Sequence, residues 1–187
     1  MAGLDNTAIL LADLQDTIVP HSGTNEEAAL RRSAKALAGL ARDLSIPSVI
    51  SVVPFGTDSP QPIAELREAL PNAPVIVRHG PRIFAHPPSV EAIRKTGCKT
   101  LIVAGVATEV VVLHATLEAI SAGLSVHVLL DASGGFGART EAAAIREMEA
   151  AGAVTSSISS FVTRHVDTFD SPDGKAAISA LMTLMSG

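Results

Sequence analysis

Gly105-Val106-Ala107-Thr108-Glu109-Val110-Val111-Val112 follows the apolar run Leu101-Ile102-Val103-Ala104 and leads into a helical pattern. The segment therefore reads as the end of a strand turning into a helix. In open α/β sheets, ligands bind in the crevice at the carboxyl ends of strands. This junction fixes both the type of fold and the place to look for a site.

The same alternation extends in both directions. Residues 7–14 (TAILLADL) form a short apolar run ending in an acid, as a central strand would. Asn25 is placed to cap a helix whose first turn holds Glu26 and Glu27 and whose apolar positions continue to Leu44, before Pro47. A second strand is expected at 48–53, a turn-rich loop at 57–62, a short helix at 63–70 and a third strand at 75–77. A loop rich in Gly, Pro and His spans 78–88, and a helix over 89–96 leads to the fourth strand, 100–104. A helix from about 109 to 122 ends before Gly123, a good residue to terminate it. The fifth strand is expected at 125–130, a helix at 138–151 closed by Gly152, the sixth strand at 153–158 and a last helix at 175–185. Strands alternating with helices imply right-handed βαβ units. The expected fold is an α/β three-layer sandwich around an open, six-stranded parallel sheet of Rossmann-like type, with residues 1–187 as one domain.

Composition narrows the function classes. At 187 residues, 47% hydrophobic and 18% charged, the chain has the balance of a folded protein. It contains five Phe and no Trp or Tyr, so the core must be aliphatic, as suits a parallel sheet buried on both faces. A formal net charge of −5 argues against a nucleic-acid binder, which needs a basic footprint. No apolar run approaches the roughly 20 residues of a membrane span, and no secretory signal is visible. Cys98 alone cannot form an internal disulfide. A cytoplasmic location is the expectation.

Several short strings fall at the expected ligand-binding end: Asp13-Leu14-Gln15 after the first strand, Arg78-His79-Gly80 after the third, Gly105-Val106-Ala107-Thr108 after the fourth and Asp131-Ala132-Ser133-Gly134 after the fifth. Together they resemble the isochorismatase-like hydrolases, whose motifs read "DxQ", a basic residue after strand three, "GVxTxxCV" and "DASG". The resemblance runs from about residue 7 to 160. It implies that Asp13 is catalytic and that Val111 stands where the family carries its cysteine nucleophile. It also implies that the Val106-Ala107 peptide is cis, helping Ala107, Val110 and Val111 present backbone donors. The family places a lysine where this chain has Arg78, and some subfamilies carry "RxG…NA" where this chain has Phe84-Ala85. Members assemble as dimers to octamers, so the resemblance implies a homo-oligomer.

Each residue carries a plainer reading beside the functional one. A carboxylate at a strand end can be a general acid or base, with burial raising its pKa, or can cap the next turn; both readings apply to Asp13. Arg78 could pair with Asp13, clamp a substrate carboxylate bidentately or form a structural ion pair; unlike lysine it cannot donate a proton at neutral pH. Arg82 is a fallback cation. Gln15 could orient a ligand or satisfy loop backbone, and Phe84 could touch substrate. His114, one turn after Val111, could face the pocket or pack against a neighbour. Thr108 and Glu109 read as a cap and a first-turn acid. Asp131 reads as a support that bonds loop amides, and Cys98, at the far end of the sheet, as an inert thiol.

No metal or cofactor is expected. The region after the second strand, Pro54-Phe55-Gly56-Thr57-Asp58-Ser59, lacks the acid and two histidines of the zinc-dependent nicotinamidases. Gly134-Gly135 matches neither a P-loop nor a complete dinucleotide fingerprint, and Ser133 lacks the context of an esterase elbow. An isopropyl group cannot attack a carbonyl, so Val111 closes the covalent thioester route. Two readings remain. One is a hydrolase of a small carboxylate- or amide-bearing metabolite, with Asp13 as acid/base and Arg78 as substrate-binding cation; the isochorismatases themselves cleave a vinyl ether without cysteine. The other is a catalytically silent member that binds a small molecule or serves as an oligomeric scaffold.

Overall fold

Strands Thr7–Ala12 (β1), Ser48–Val52 (β2), Val75–Val77 (β3), Thr100–Gly105 (β4), Ser125–Leu129 (β5) and Val154–Ser156 (β6) pair in parallel, in the order β3-β2-β1-β4-β5-β6. The computed structural model describes residues 4–57 and 59–186; Asp58, inside the expected loop 57–62, lies outside them. The helices are Glu27–Asp43 (α1), Ala64–Ala69 (α2), Pro87–Lys95 (α3), Leu113–Ser121 (α4), Ala138–Ala150 (α5), Ile158–Arg164 (α6) and Pro172–Met185 (α7). This is the α/β architecture that the strand–helix alternation implies. The strand order reverses between β1 and β4, and a crevice opens outside their carboxyl ends at such a switch point.

The side chains of β1 show how one strand serves two cores. Ile9 and Leu11 pack with α1, α2 and α6, whereas Ala8, Leu10 and Ala12 pack with α3, α4 and α5. Burial on both faces explains why the strand is a continuous apolar run rather than an alternating one. A smaller cluster, Leu40, Val162, Ala176, Ala177 and Ala180, docks α7 on α1 and α6. Gly105 allows β4 to approach β1 closely: a Cβ there would lie 2.0 Å from the Ala12 carbonyl oxygen. Among the described residues no helix is long and apolar enough to cross a membrane.

Local departures from the sequence expectations have identifiable causes. Asn25 does not cap α1. Its side-chain amide donates to the carbonyls of Leu130 (3.1 Å) and Ser133 (2.6 Å), and Glu26 takes the cap position without a side-chain cap bond. Carbonyls on a turn folded beneath a helix need donors, and this demand outweighs the cap. The helix after β4 opens as a π-helical turn, Thr108–Val112, with Ala107 rather than Thr108 at its cap. β6 stops at Ser156, and Ile158 begins a helix instead of ending a strand. Both Asp131 carboxylate oxygens accept from the Ile158 N–H at 3.0 Å, and Ser157 accepts from the Ser160 N–H at 3.1 Å. α7 begins at Pro172, earlier than expected, capped by Ser171 accepting from Gly174 at 2.9 Å.

Candidate active site

At the carboxyl ends of β1 and β4 lies a cavity of about 550 Å³, walled in part by Asp13, Arg78, Val106, Ala107, Val110 and Val111. Three distant stretches of sequence meet there. Asp13 leaves β1 with φ 56°, a left-handed conformation that Asp tolerates better than most residues. Its own N–H donates to Ser51 O (2.9 Å) on β2, which fixes where the carboxylate stands.

Asp13 and Arg78 form a buried ion pair, with the guanidinium Nη2 donating to Asp13 Oδ2. Arg78 is 1% exposed, and its other nitrogens are also committed. Nε donates to Ser51 Oγ at 3.1 Å and Nη1 donates to the Gly80 carbonyl. Pairing with Asp13 is thus the role that the geometry displays for Arg78. Each two-nitrogen edge of the fork already has an occupant, so no edge is free to clamp a carboxylate bidentately.

Asp13 Oδ1 is buried and has no hydrogen-bond partner among the described residues. Burial pushes the Asp13 carboxyl up to about 6, more than the neighbouring Arg78 charge and its hydrogen bond pull it down. A carboxyl near 6 with a free oxygen can exchange a proton close to neutrality.

The strand-to-helix turn supplies the opposite wall. The Val106-Ala107 peptide is cis. Thr108 N–H donates to Gly134 O at 3.0 Å, and the N–H groups of Val110 and Val112 donate to Ala107 O at 3.1 and 3.3 Å. The Ala107 N–H makes no such bond among the described residues. Val111 is 1% exposed and presents an apolar side chain to the wall. Thr108 Oγ1 donates to Glu141 Oε1 (2.7 Å), and Glu109 Oε1 accepts from Phe136 N (2.9 Å) and Thr140 Oγ1 (2.7 Å). These two residues pin the Phe136 loop beside the cavity; Glu109 is also the first-turn acid expected.

Gln15, Phe84 and His114 do not reach the cavity wall. Gln15 spends both ends of its amide on Val53, donating to its carbonyl at 2.9 Å and accepting from its N–H at 2.7 Å. Phe84 packs half-buried in the α3–α5 core, its N–H on Glu118 Oε2 at 3.3 Å. His114 is half-buried on α4 and is not among the wall residues, although Val110 and Val111 one turn earlier are. Arg82 pairs with Glu118 on α4. Asp131 bonds the Ile158 amide, and burial raises its carboxyl above the usual range.

The wall also includes two histidines from the loops expected at the ligand end and two phenylalanines, Phe55 and Phe136, that sequence reasoning did not place. His21 and Phe55 stack edge to face at 5.3 Å, and Phe136, His79 and Gly80 complete the mouth. Ser51, which holds Arg78, was visible as a polar interruption in the apolar string Ser48-Val49-Ile50-Ser51-Val52. Phe136 left a fainter signal, an aromatic after two glycines at a strand end. Among the described residues no cluster of three His, Cys, Asp or Glu could hold a metal ion. A larger groove of about 950 Å³ lies at the opposite end of the sheet, beside β3. Its charged residues face solvent or pair locally, as Arg42 does with Asp43 and Glu91 with Arg94.

Comparison with known proteins agrees with this fold. The chain is 34% identical over 151 residues to the Escherichia coli (strain K12) protein named "Probable hydrolase YcaC", covering 80% of this chain and 72% of that one. YcaC from Pseudomonas aeruginosa, solved with hexane-2,5-diol and covalent acrylamide, superposes with a TM-score of 0.87 at 30% identity over 97% of this chain and 92% of that one. The E. coli ycaC gene product, described as an octameric hydrolase of unknown specificity, gives a TM-score of 0.83 at 30% identity over 97% and 87%. A MAR1 ribonuclease from Caenorhabditis elegans shares the fold at 24% identity, with a TM-score of 0.85 over 96% and 91%, so the fold by itself does not rule out nucleic acid. The isochorismatase domain model matches residues 7–160, and the chain belongs to the isochorismatase family.

Proposed function

We propose that this chain is a hydrolase of a small amide- or carboxylate-bearing metabolite that works without a cysteine nucleophile, with Asp13 as its general acid and base. The observation that carries the reading is the Asp13 carboxyl itself: it lines the cavity, keeps one oxygen unpartnered and titrates near 6. Val111 stands at the position where a nucleophile would sit and supplies none, so water attacks. For an amide, Asp13 takes a proton from water as the C–O bond forms, then passes it to the departing nitrogen as the C–N bond breaks. Arg78 holds the carboxylate in place, and the Ala107 N–H is available to a developing oxyanion.

The pH dependence follows from this role. With the carboxyl near 6, the base form predominates at pH 7. As pH falls through 6 the base is lost, so kcat/KM for an amide found by screening falls about tenfold per unit below that point. Asp13→Asn, nearly isosteric, removes turnover by about a hundredfold or more while circular dichroism stays native. A variant that keeps its rate, or a wild-type rate flat between pH 5 and 7, sinks the acid/base role.

A second reading is favoured by the apolar Val111 wall: a silent family member that binds without reacting. It predicts ligand binding that is unchanged across the same pH range and no product in any screen.

A further inference from the structure

We infer that Glu109 is a specificity-determining residue: through Phe136 it holds the mouth of the cavity at a fixed width, and so limits the size of molecule that reaches Asp13 and Val111. This role rests on the reading of the cavity as the site of reaction, and it holds whichever bond is cleaved there. Phe136 follows two buried glycines, and its ring is 59% exposed at the mouth. Its backbone, by contrast, is fixed from two sides. Glu109 Oε1 accepts from the Phe136 N–H at 2.9 Å and from Thr140 Oγ1 at 2.7 Å. One carboxylate oxygen thus ties the Thr108–Val112 turn to the loop and to the start of α5. From the other side, the Gly135 N–H donates to Thr24 Oγ1 at 2.8 Å, and the Gly135 carbonyl accepts from the Gly23 N–H at 2.8 Å. The segment that carries Gly23 and Thr24 also carries His21, another mouth residue. Loops whose backbone groups face water are the mobile ones, whereas this loop spends those groups on neighbouring chain. The ring is exposed without being loose.

The anchor works through a single oxygen. Glu109 Oε2 is buried and has no hydrogen-bond partner among the described residues. Its space exists because Gly135 lacks a side chain: a Cβ there would lie 2.7 Å from Oε2 and 2.7 Å from the Glu141 Cβ. An amide in place of the carboxylate keeps the oxygen that accepts from Phe136 and Thr140, whereas a methyl group leaves both donors without it. Val110 and Val111, the two residues after Glu109, are cavity wall, so one turn both builds the wall and anchors the rim. A rim held in this way discriminates by clash rather than by attraction, and a group too wide to pass Phe136 is excluded whatever its charge.

A thiol placed inside the cavity tests this. In the full chain carrying Val111→Cys and Cys98→Ser, alkylation rates are measured with iodoacetamide and with the far wider pyrene maleimide, each divided by its rate with free cysteine. The pyrene reagent should be slowed about tenfold or more relative to iodoacetamide. Glu109→Ala and Phe136→Ala, made in that chain, should each shrink this discrimination about threefold or more, and Glu109→Gln should keep it to within about twofold. Phe136→Ala removes an exposed ring and leaves the core intact, so it reports even where Glu109→Ala fails to fold. In parallel, the five Phe are labelled as para-fluorophenylalanine, and Phe136 is assigned in the fluorine NMR spectrum by its loss in Phe136→Ala. Its resonance should move towards the unfolded position in Glu109→Ala and stay in place in Glu109→Gln. A purely structural Glu109 would lower the melting temperature and leave the discrimination unchanged. A thiol that neither reagent reaches, equal access for both reagents in the parent chain, unchanged discrimination in the alanine variants, or Glu109→Gln behaving as Glu109→Ala overturns the inference. Neither alkylation nor the fluorine spectrum requires catalysis. Turnover retained by Asp13→Asn therefore sinks the hydrolytic reading and leaves the role of Glu109 standing.

Discussion

Asp13 and Arg78 are taken out of water together, and the surroundings show how that cost is met. Ser51 Oγ, Gly80 O and the carboxylate satisfy the guanidinium from three directions. Asp13 is left with one oxygen to spare. A buried pair of this kind is weak evidence for stability, since two apolar residues could replace it with little loss. Its retention next to a cavity suits function better. Val111 is the counterpart at the same scale: a β-branched apolar residue on the wall opposite the pair. Thiols at helix N-termini have lowered pKa values. Val111→Cys in a Cys98→Ser background should therefore react with iodoacetamide at pH 7 about tenfold or more faster than the half-buried Cys98 of the native chain. Mass spectrometry reads the adduct. A folded variant whose thiol reacts no faster than Cys98 of the native chain would show that the turn activates nothing.

At the scale of elements, Asp131 shows how a strand end can build a distant helix. Its two oxygens hold the Ile158 N–H, and α6 in turn presents Ile158 and Phe161 to the core. Asp131→Ala leaves that first amide unsatisfied and should lower unfolding stability by about 1–3 kcal/mol in urea titration. A change below a few tenths would mean that Ser157 alone suffices as the cap. The same bond explains what the sequence could and could not disclose. The strands were legible because a parallel sheet buried on both faces demands unbroken apolar runs, as in residues 7–12 and 100–105. Asp13, Arg78 and the Val106-Ala107 turn were legible because they lie immediately after those runs, where a doubly wound sheet places its ligands. Helix α6 was not, since beside its local Ser157 cap the group that holds its first amide, Asp131, sits 27 residues upstream. Asn25 misled for the same reason: its amide serves carbonyls over a hundred residues away rather than its own helix. The sequence could suggest that Gln15 and His114 were near the site, but not where they point. That is set by the partners found after folding, such as the Val53 backbone for Gln15.

At the scale of the whole molecule, the sheet leaves both edges open. β3 is three residues long, with Val75 42% and Val77 41% exposed, and at the opposite edge β6 has Val154 at 40%. Short edge strands limit uncontrolled strand addition, yet open valines on an outermost strand are a surface that a stable monomer would ordinarily cover or charge. A 950 Å³ groove with an apolar floor runs beside β3 and lengthens this uncovered face. The E. coli relative is described as octameric. We therefore propose that copies of the chain assemble, and that the uncovered apolar surface becomes buried between them. Specific interfaces bury on the order of 1,200–2,000 Å² in total, so assembly should persist to micromolar concentration and below. Light scattering coupled to size exclusion at 10 μM should give a mass that is a whole multiple, two to eight, of a single chain. The melting temperature should fall on dilution, because unfolding of an assembly is linked to its dissociation. A single-chain mass across the concentration range, with a melting temperature independent of dilution, would overturn the proposal and leave the exposed valines as features of a monomer.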